Sequence, residues 1–102
     1  MMGKPRELVI PPEAAKAANG FEIARIWVGD NAQYVSVMTS VWEDPAAWGI
    51  ALVDLAKHIA DAYHKERGSE TLELLSRIRE GFDAEWEQST DKPAGYFLDQ
   101  NN

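Results

Sequence analysis

The chain has no cysteine among its 102 residues and only two histidines. Without thiols there can be no disulfide framework, no cysteine nucleophile and no cysteine metal ligand. A lack of cysteine also fits a reducing compartment. We therefore expect a fold that is stabilised by packing alone, and we expect it in the cytoplasm.

Long apolar runs and nucleotide-binding loops are also missing. No apolar run approaches the roughly 20 residues that a membrane-spanning helix needs, and Met1–Glu7 has no apolar segment behind its basic residues, as a secretory signal would. No Gly-rich phosphate loop and no Gly-x-Ser-x-Gly elbow is present. We expect no cofactor and no membrane partner. Distant residues could still converge into an active site, but this inventory favours a protein that is not an enzyme.

Positive charge is scarce. The formal net charge is −7 and the pI is about 4.7, so the average field repels a phosphate backbone. The basic residues are scattered among acids, as in Lys65-Glu66-Arg67. This pattern argues against nucleic acid as a partner.

What the chain does contain is enough apolar residues, 45% of the total, for one core. We divide it into a flexible N-terminus at residues 1–7, a single α+β domain at residues 8–88 and a C-terminal tail at residues 89–102. The tail holds an apolar cluster, Tyr96-Phe97-Leu98, that could dock on a neighbour.

A β-hairpin is predicted from Phe21 to Val41, with its turn at Gly29–Ala32, where Asp and Asn tolerate positive φ. A two-residue turn at Asp30-Asn31 places Trp27 opposite Tyr34. The run Leu8-Val9-Ile10, ended by two prolines, predicts a brief third strand at the sheet edge.

Both faces of this hairpin are apolar, although a sheet with one wet face should alternate with polar residues. Face one carries Ala24, Ile26, Val28, Val35 and Val37. Face two carries Phe21, Ile23, Arg25, Trp27, Tyr34, Ser36 and Met38. Face one is aliphatic and fits a core. Face two is either covered within the chain or meets another molecule.

A long helix is predicted to follow, with Asp44 as its N-cap, Pro45 in its first turn and Gly68 as its stop. Helical spacing arranges its apolar residues in two lines along the helix. The large stripe consists of Trp48, Leu52, Leu55, Ile59 and Tyr63. The small-residue seam consists of Gly49, Val53, Ala56 and Ala60, and would let another backbone approach closely.

A second helix is predicted after the short link at Gly68-Ser69, with Ser69 as its cap and Leu74, Leu75, Ile78, Phe82 and Trp86 as its apolar stripe. A short link makes the two helices antiparallel neighbours. The predicted fold is α+β: a small antiparallel sheet of two or three strands packed against an antiparallel two-helix hairpin.

Two groups of residues could form sites. Asp54, His58 and Asp61 share one side of the first long helix and could hold a divalent metal, but ion pairing with lysines on a solvated face is the commoner role of such residues. Trp42 and Trp48 could wall a pocket at the start of that helix. We favour the alternative that both tryptophans pack on the sheet.

Face two could also bind a ligand. Arg25 and Ser36, flanked by Trp27 and Tyr34, could hold a molecule that carries a carboxylate. We favour a polar pair inside an interface, because Arg, Trp, Tyr and Met are typical of interfaces.

Three segments, Leu8–Ala14, Val41–Ile50 and Arg77–Trp86, resemble a family of short alphaproteobacterial proteins catalogued only as a domain of unknown function. The resemblance runs from Glu7 to Trp86 and is most specific at Trp42-Glu43-Asp44-Pro45. It implies a bacterial cytoplasmic protein, and it brings no activity, cofactor or catalytic residue.

The surplus of apolar surface leads to the functional hypothesis. We expect a non-enzymatic interaction protein that self-associates as a homodimer, since closed twofold dimers are the commonest oligomers. The alternative is a small-ligand-binding module or minor enzyme, with its pocket near Trp42 and Trp48 or centred on Arg25.

Overall fold

The structure, a computed structural model, describes residues 5–88. Its elements are α1 (Pro12–Lys16), β1 (Ala24–Gly29), β2 (Ala32–Val37), a 3-10 turn (Thr39–Val41), α2 (Ala46–Arg67) and α3 (Thr71–Glu87). A two-stranded antiparallel sheet and two main helices confirm the α+β class. The tail at residues 89–102, with Tyr96-Phe97-Leu98, lies outside the described residues, and the predicted domain boundaries stay predictions.

The hairpin has the predicted register, with Trp27 opposite Tyr34 across the strands. Beyond the ladder, the Met38 N–H donates to the Ile23 carbonyl oxygen at 2.8 Å. No described residue other than glycine has a positive φ, so the turn at Asp30-Asn31 does not use the left-handed conformation that the sequence suggested. Tyr34 lies across Gly29, where a Cβ would come within 2.9 Å of the ring.

The hairpin arms are shorter than predicted. Leu8-Val9-Ile10 forms no strand and is exposed, so the predicted third strand is wrong. The two prolines that follow it limit any ladder there. The second arm ends at Val37, because the chain turns into a 3-10 helix at Thr39.

The start and the end of α2 follow from local chemistry, as predicted. The Asp44 carboxylate accepts from the Ala46 N–H at 2.9 Å, and Pro45 already has helical dihedral angles (φ −59°, ψ −18°). Gly68 ends the helix in the left-handed conformation at φ 75°. Ser69 is not the cap of α3. Glu70 takes that place, without a side-chain hydrogen bond.

α3 contacts α2, and of the small-residue seam only the part at Ala56 and Ala60 is shielded, while Gly49 and Val53 are exposed. Ala60, in this seam, is the one buried residue among those described, and it is 0% exposed. Leu74, Leu75 and Ile78 of α3 are half-buried. The large stripe of α2 points elsewhere, and from Leu52 to Tyr63 its side chains remain exposed.

The hairpin and the helical pair do not pack on one another within the described chain. No Cα atom of either strand lies within 8 Å of a Cα atom of α2 or α3. The predicted packing of the sheet on the helices is therefore not found within one chain. Each half shields itself only in part, and neither contributes to a shared core.

Candidate functional site

A shallow, open concavity of about 320 Å³ lies at the open end of the hairpin, beside Arg25 and Ser36 of face two. Its lining consists of Glu22, Ile23, Ala24, Arg25, Ser36, Val37 and Met38. Arg25 and Ser36 are directly opposite one another across the strands, so pairing register brings them together. This pair of predicted site residues is assembled as expected.

Arg25 is already occupied by carboxylates of its own chain. Glu22 accepts two hydrogen bonds, from Nε at 3.0 Å and from Nη2 at 2.9 Å. Glu7 lies 2.8 Å from Nη1. The hydrogen bond with Glu22, more than any other contact, raises the pKa of the guanidinium. With two carboxylates around one cation, the site has no surplus positive charge for an anionic ligand.

The aromatic residues of face two form their own contacts. The Arg25 guanidinium lies 5.8 Å from the Trp27 ring centroid, within the range of a cation–π interaction. Tyr34 rests on Gly29. Trp27 is half-buried, and Tyr34 is 37% exposed. Both contacts are formed within the hairpin itself.

Trp42 and Trp48 meet each other at the start of α2. Their ring centroids are 5.1 Å apart with an interplanar angle of 84°, an edge-to-face pair. Neither ring lines the concavity beside Arg25. The structure thus shows a contact between the two rings, and the expected packing of both tryptophans on the sheet stays a prediction.

The three candidate metal ligands on α2 have other partners. The Nδ1 atom of His58 lies 2.9 Å from the Asp54 carbonyl oxygen and 3.4 Å from its carboxylate. Asp61 pairs with Lys65 at 2.9 Å. Their exposed groove, of about 210 Å³, also contains Lys57. In the described part of the chain, no three His, Cys, Asp or Glu side chains are grouped so that they could hold a metal ion.

Sequence reasoning missed several of these partners. Glu7 was assigned to a flexible terminus, yet it reaches Arg25 on the hairpin. His64, which had no assigned role, lies 2.7 Å through Nδ1 from the Ser69 carbonyl oxygen and braces the α2–α3 link. A helix stop at Gly68, which turns the chain back on the last helical turn, is a signal that could have suggested the second contact. No local signal joins residues 7 and 25.

Comparisons with known proteins agree with the resemblance noted in the sequence. Within residues 5–88, no helix combines the length and the apolar character needed to cross a membrane. No curated protein matches the chain. A solved structure, described as that of "a putative pyruvate dehydrogenase" from the photosynthetic bacterium Rhodopseudomonas palustrus, is similar over 91% of this chain and 95% of that one, with 34% identity and a TM-score of 0.69.

The profile of one protein family covers residues 7–90, and its description is "Domain of unknown function (DUF5076)". That range includes the hairpin, the cap at Asp44 and both long helices. The match takes in most of the chain, so this protein belongs to the DUF5076 family.

Proposed function

We propose that this protein is a non-enzymatic interaction protein that works as a homo-oligomer, in the simplest case a dimer in the bacterial cytoplasm. The observation that carries the proposal is the burial of a single residue, Ala60, among all those described. A chain with 45% hydrophobic residues has material for a core. Contacts within one copy leave most of the apolar residues of the described chain at least partly exposed.

The amount of uncovered apolar surface is what a permanent interface requires. Seventeen large apolar side chains are at least 37% exposed. At about 100 Å² of apolar surface for each fully exposed side chain, they present on the order of 1,000 Å² in total, spread over several elements. A standard interface buries about 800 Å² per partner, and the largest apolar patch of a typical monomer is about 300–600 Å². Self-association would remove this excess from water.

The exposed side chains also lie on the elements that should form the core. On α2 they are Ile50, Leu52, Val53, Leu55, Ile59 and Tyr63. On the hairpin, Ile26 is 56% exposed and Val28 is 82% exposed. Such positions are not scattered surface residues, because they repeat at helical and strand spacing. A partner of the same chain can cover both sets at once.

Oligomeric state and stability test this proposal together. Light scattering should give twice the chain mass at micromolar concentration, and the melting temperature should rise with protein concentration. The expected rise follows from mass action, because folding and association are coupled. A clean monomer whose melting temperature is independent of concentration would contradict the proposal.

A second candidate function is a small-ligand-binding module or minor enzyme. Two observations favour it: the concavity beside Arg25 and Ser36, and the description of the Rhodopseudomonas protein as "a putative pyruvate dehydrogenase". Pyruvate is a small carboxylate, and Arg25 is the cation that lines the concavity. Glu7 and Glu22 neutralise that cation, which is why we rank this function second.

Pyruvate itself is the probe for this second function. Titration monitored by tryptophan fluorescence should report binding through Trp27, which lies beside Arg25. A Glu22→Gln variant removes one competing carboxylate and should strengthen any such binding. If neither the natural chain nor this variant responds at millimolar pyruvate, the second function is ruled out for this site.

A further inference from the structure

The large stripe of α2 and face one of the hairpin are two uncovered apolar surfaces of one chain. Ile59 and Leu55 represent the stripe, and Ile26 and Val28 represent face one; all four are exposed. The α2–α3 contact leaves the stripe free because α3 lies on the seam that contains Ala60. No strand covers the stripe, since no strand Cα lies within 8 Å of α2 in the described chain.

The two surfaces match in chemistry. The five residues of the stripe and the five of face one include no charged side chain. Face two differs, because it carries Arg25 with its carboxylate partners Glu7 and Glu22. Face one is therefore the side of the hairpin that can enter a dry contact without desolvating an ion pair.

They also match in length. β1 has six residues and spans about 20 Å at about 3.3 Å per residue. The stripe runs from Trp48 to Tyr63 and spans about 22 Å at 1.5 Å per residue. One hairpin therefore covers most of the length of the stripe.

The hairpin needs such a contact in order to be stable. A two-stranded hairpin alone is marginally stable in water, and it requires a helix or further strands against one face. A dimer formed by helices alone would cover the stripe and leave two hairpins unsupported. A closed twofold dimer with sheet-on-helix contacts covers both surfaces of each copy.

We infer that the partner of the α2 stripe is the β-hairpin of a second copy of this chain, seated through face one, so that two copies exchange hairpins. This inference rests on the proposed self-association and specifies its interface. The link from Val37 to Ala46 contains a 3-10 turn and the capping bond of Asp44, and the hairpin does not contact its own α2 within the described chain. The composite α+β core is completed between copies.

The absence of native cysteine allows a direct test. Chains with Ile26→Cys and chains with Ile59→Cys are mixed in urea, refolded together as full-length protein and oxidised. Mixed disulfide-linked dimers of these two variants should form at least about tenfold more than in the control mixture, because a disulfide requires Cβ atoms about 4 Å apart. The control pairs Ile26→Cys with Asp61→Cys, whose side chain lies on the opposite, charged side of α2.

Each other outcome overturns the inference in a different way. Predominant linkage of Ile59→Cys to itself would show helix-on-helix association and would leave the proposed self-association standing. In a doubly substituted chain, a link within one copy would show that the hairpin covers its own helix. Monomers by light scattering before oxidation would contradict both the inference and the proposed function. If Ile26→Cys does not fold, the pair Val28→Cys and Leu55→Cys reports on the same contact.

Discussion

Asp44 acts at the scale of one residue, because its carboxylate accepts from the Ala46 N–H at the open end of α2. We expect Asp44→Ala to lower the free energy of unfolding by about 1 kcal/mol, as loss of a helix cap does. Urea denaturation at fixed protein concentration measures the loss. Asp44→Asn should retain most of the stability, since an amide oxygen can also cap.

Glu43 provides the matched control for this prediction. It is an exposed carboxylate one residue earlier, and the N–H of Ala46 bonds to Asp44 instead. Glu43→Ala should therefore cost much less than Asp44→Ala. Equal losses would mean that charge near the helix dipole, and not the capping bond, stabilises this end.

The pKa of Asp61 depends on one ion pair. The hydrogen bond from Lys65 is the main reason that the pKa of Asp61 lies below its ordinary value of 3.8. A depressed carboxyl pKa stabilises the folded state above the unfolded pKa, and that contribution is lost as pH falls through the folded pKa. The affected window lies below about pH 4.

We expect Lys65→Met to raise the pKa of Asp61 toward its ordinary value, as measured by carboxyl carbon NMR titration. Lys57→Met is the control: Lys57 is also four residues away, but it does not contribute to the shift. A similar rise in both variants would show that the general field of α2, and not the Lys65 pair, is responsible.

Two glycines have opposite roles at the scale of elements. Gly68 ends α2 at φ 75°, a conformation that strains other residues. Gly81 lies within α3, and a Cβ there would meet no described atom within 4 Å outside its own stretch of helix. We expect Gly68→Ala to destabilise the protein by about 1 kcal/mol and Gly81→Ala to stabilise it by about 1 kcal/mol. Thermal melts of both variants at one concentration test the difference in sign.

The α2–α3 contact depends on a small side chain at Ala60. Because this residue is fully buried against α3, we expect Ala60→Leu to push the helices apart and cost about 1–3 kcal/mol. Ala62→Leu is the control, since Ala62 is exposed on the same helix. Denaturant midpoints should fall for the first and stay nearly unchanged for the second. If both are neutral, α3 does not rest on the seam.

At the scale of the whole molecule, the hairpin and the helices should share one stability. If hairpins seat on partner helices, amide exchange at Trp27, whose N–H lies within the hairpin ladder, and at Leu55 should slow together as protein concentration rises. Hydrogen-exchange NMR at two protein concentrations that differ by a factor of several tens measures this coupling. If the hairpin amides exchanged at a rate independent of concentration while the helix amides stayed protected, the hairpin and the helices would be two independent halves.

Much of the local structure was predictable from residues close together in the chain. The register at Trp27 and Tyr34, the cap at Asp44 and the stop at Gly68 all depend on turn chemistry and neighbouring backbone groups. The third strand at Leu8-Val9-Ile10 failed for the complementary reason. Strand formation needs a partner ladder, and β-branched composition alone does not supply one.

The candidate site was predictable only in part. Arg25 and Ser36 come together because pairing register places them opposite one another. The neutralising contact of Glu7 joins residues far apart in sequence, and no periodicity encodes it. The lysine partner of Asp61 lies one helical turn away and was among the partners expected for that face.

The amino-acid sequence by itself determined the α+β class, the two-sided apolar hairpin and the two apolar lines of α2, because these follow from periodicities of two and 3.6 residues. Only the tertiary structure decided which of these two lines of α2 packs against α3. It is the small-residue seam at Ala60, where backbones approach closely, and the large stripe and the hairpin remain uncovered. Burial depends on which distant surfaces meet, and pattern along one chain does not contain that information.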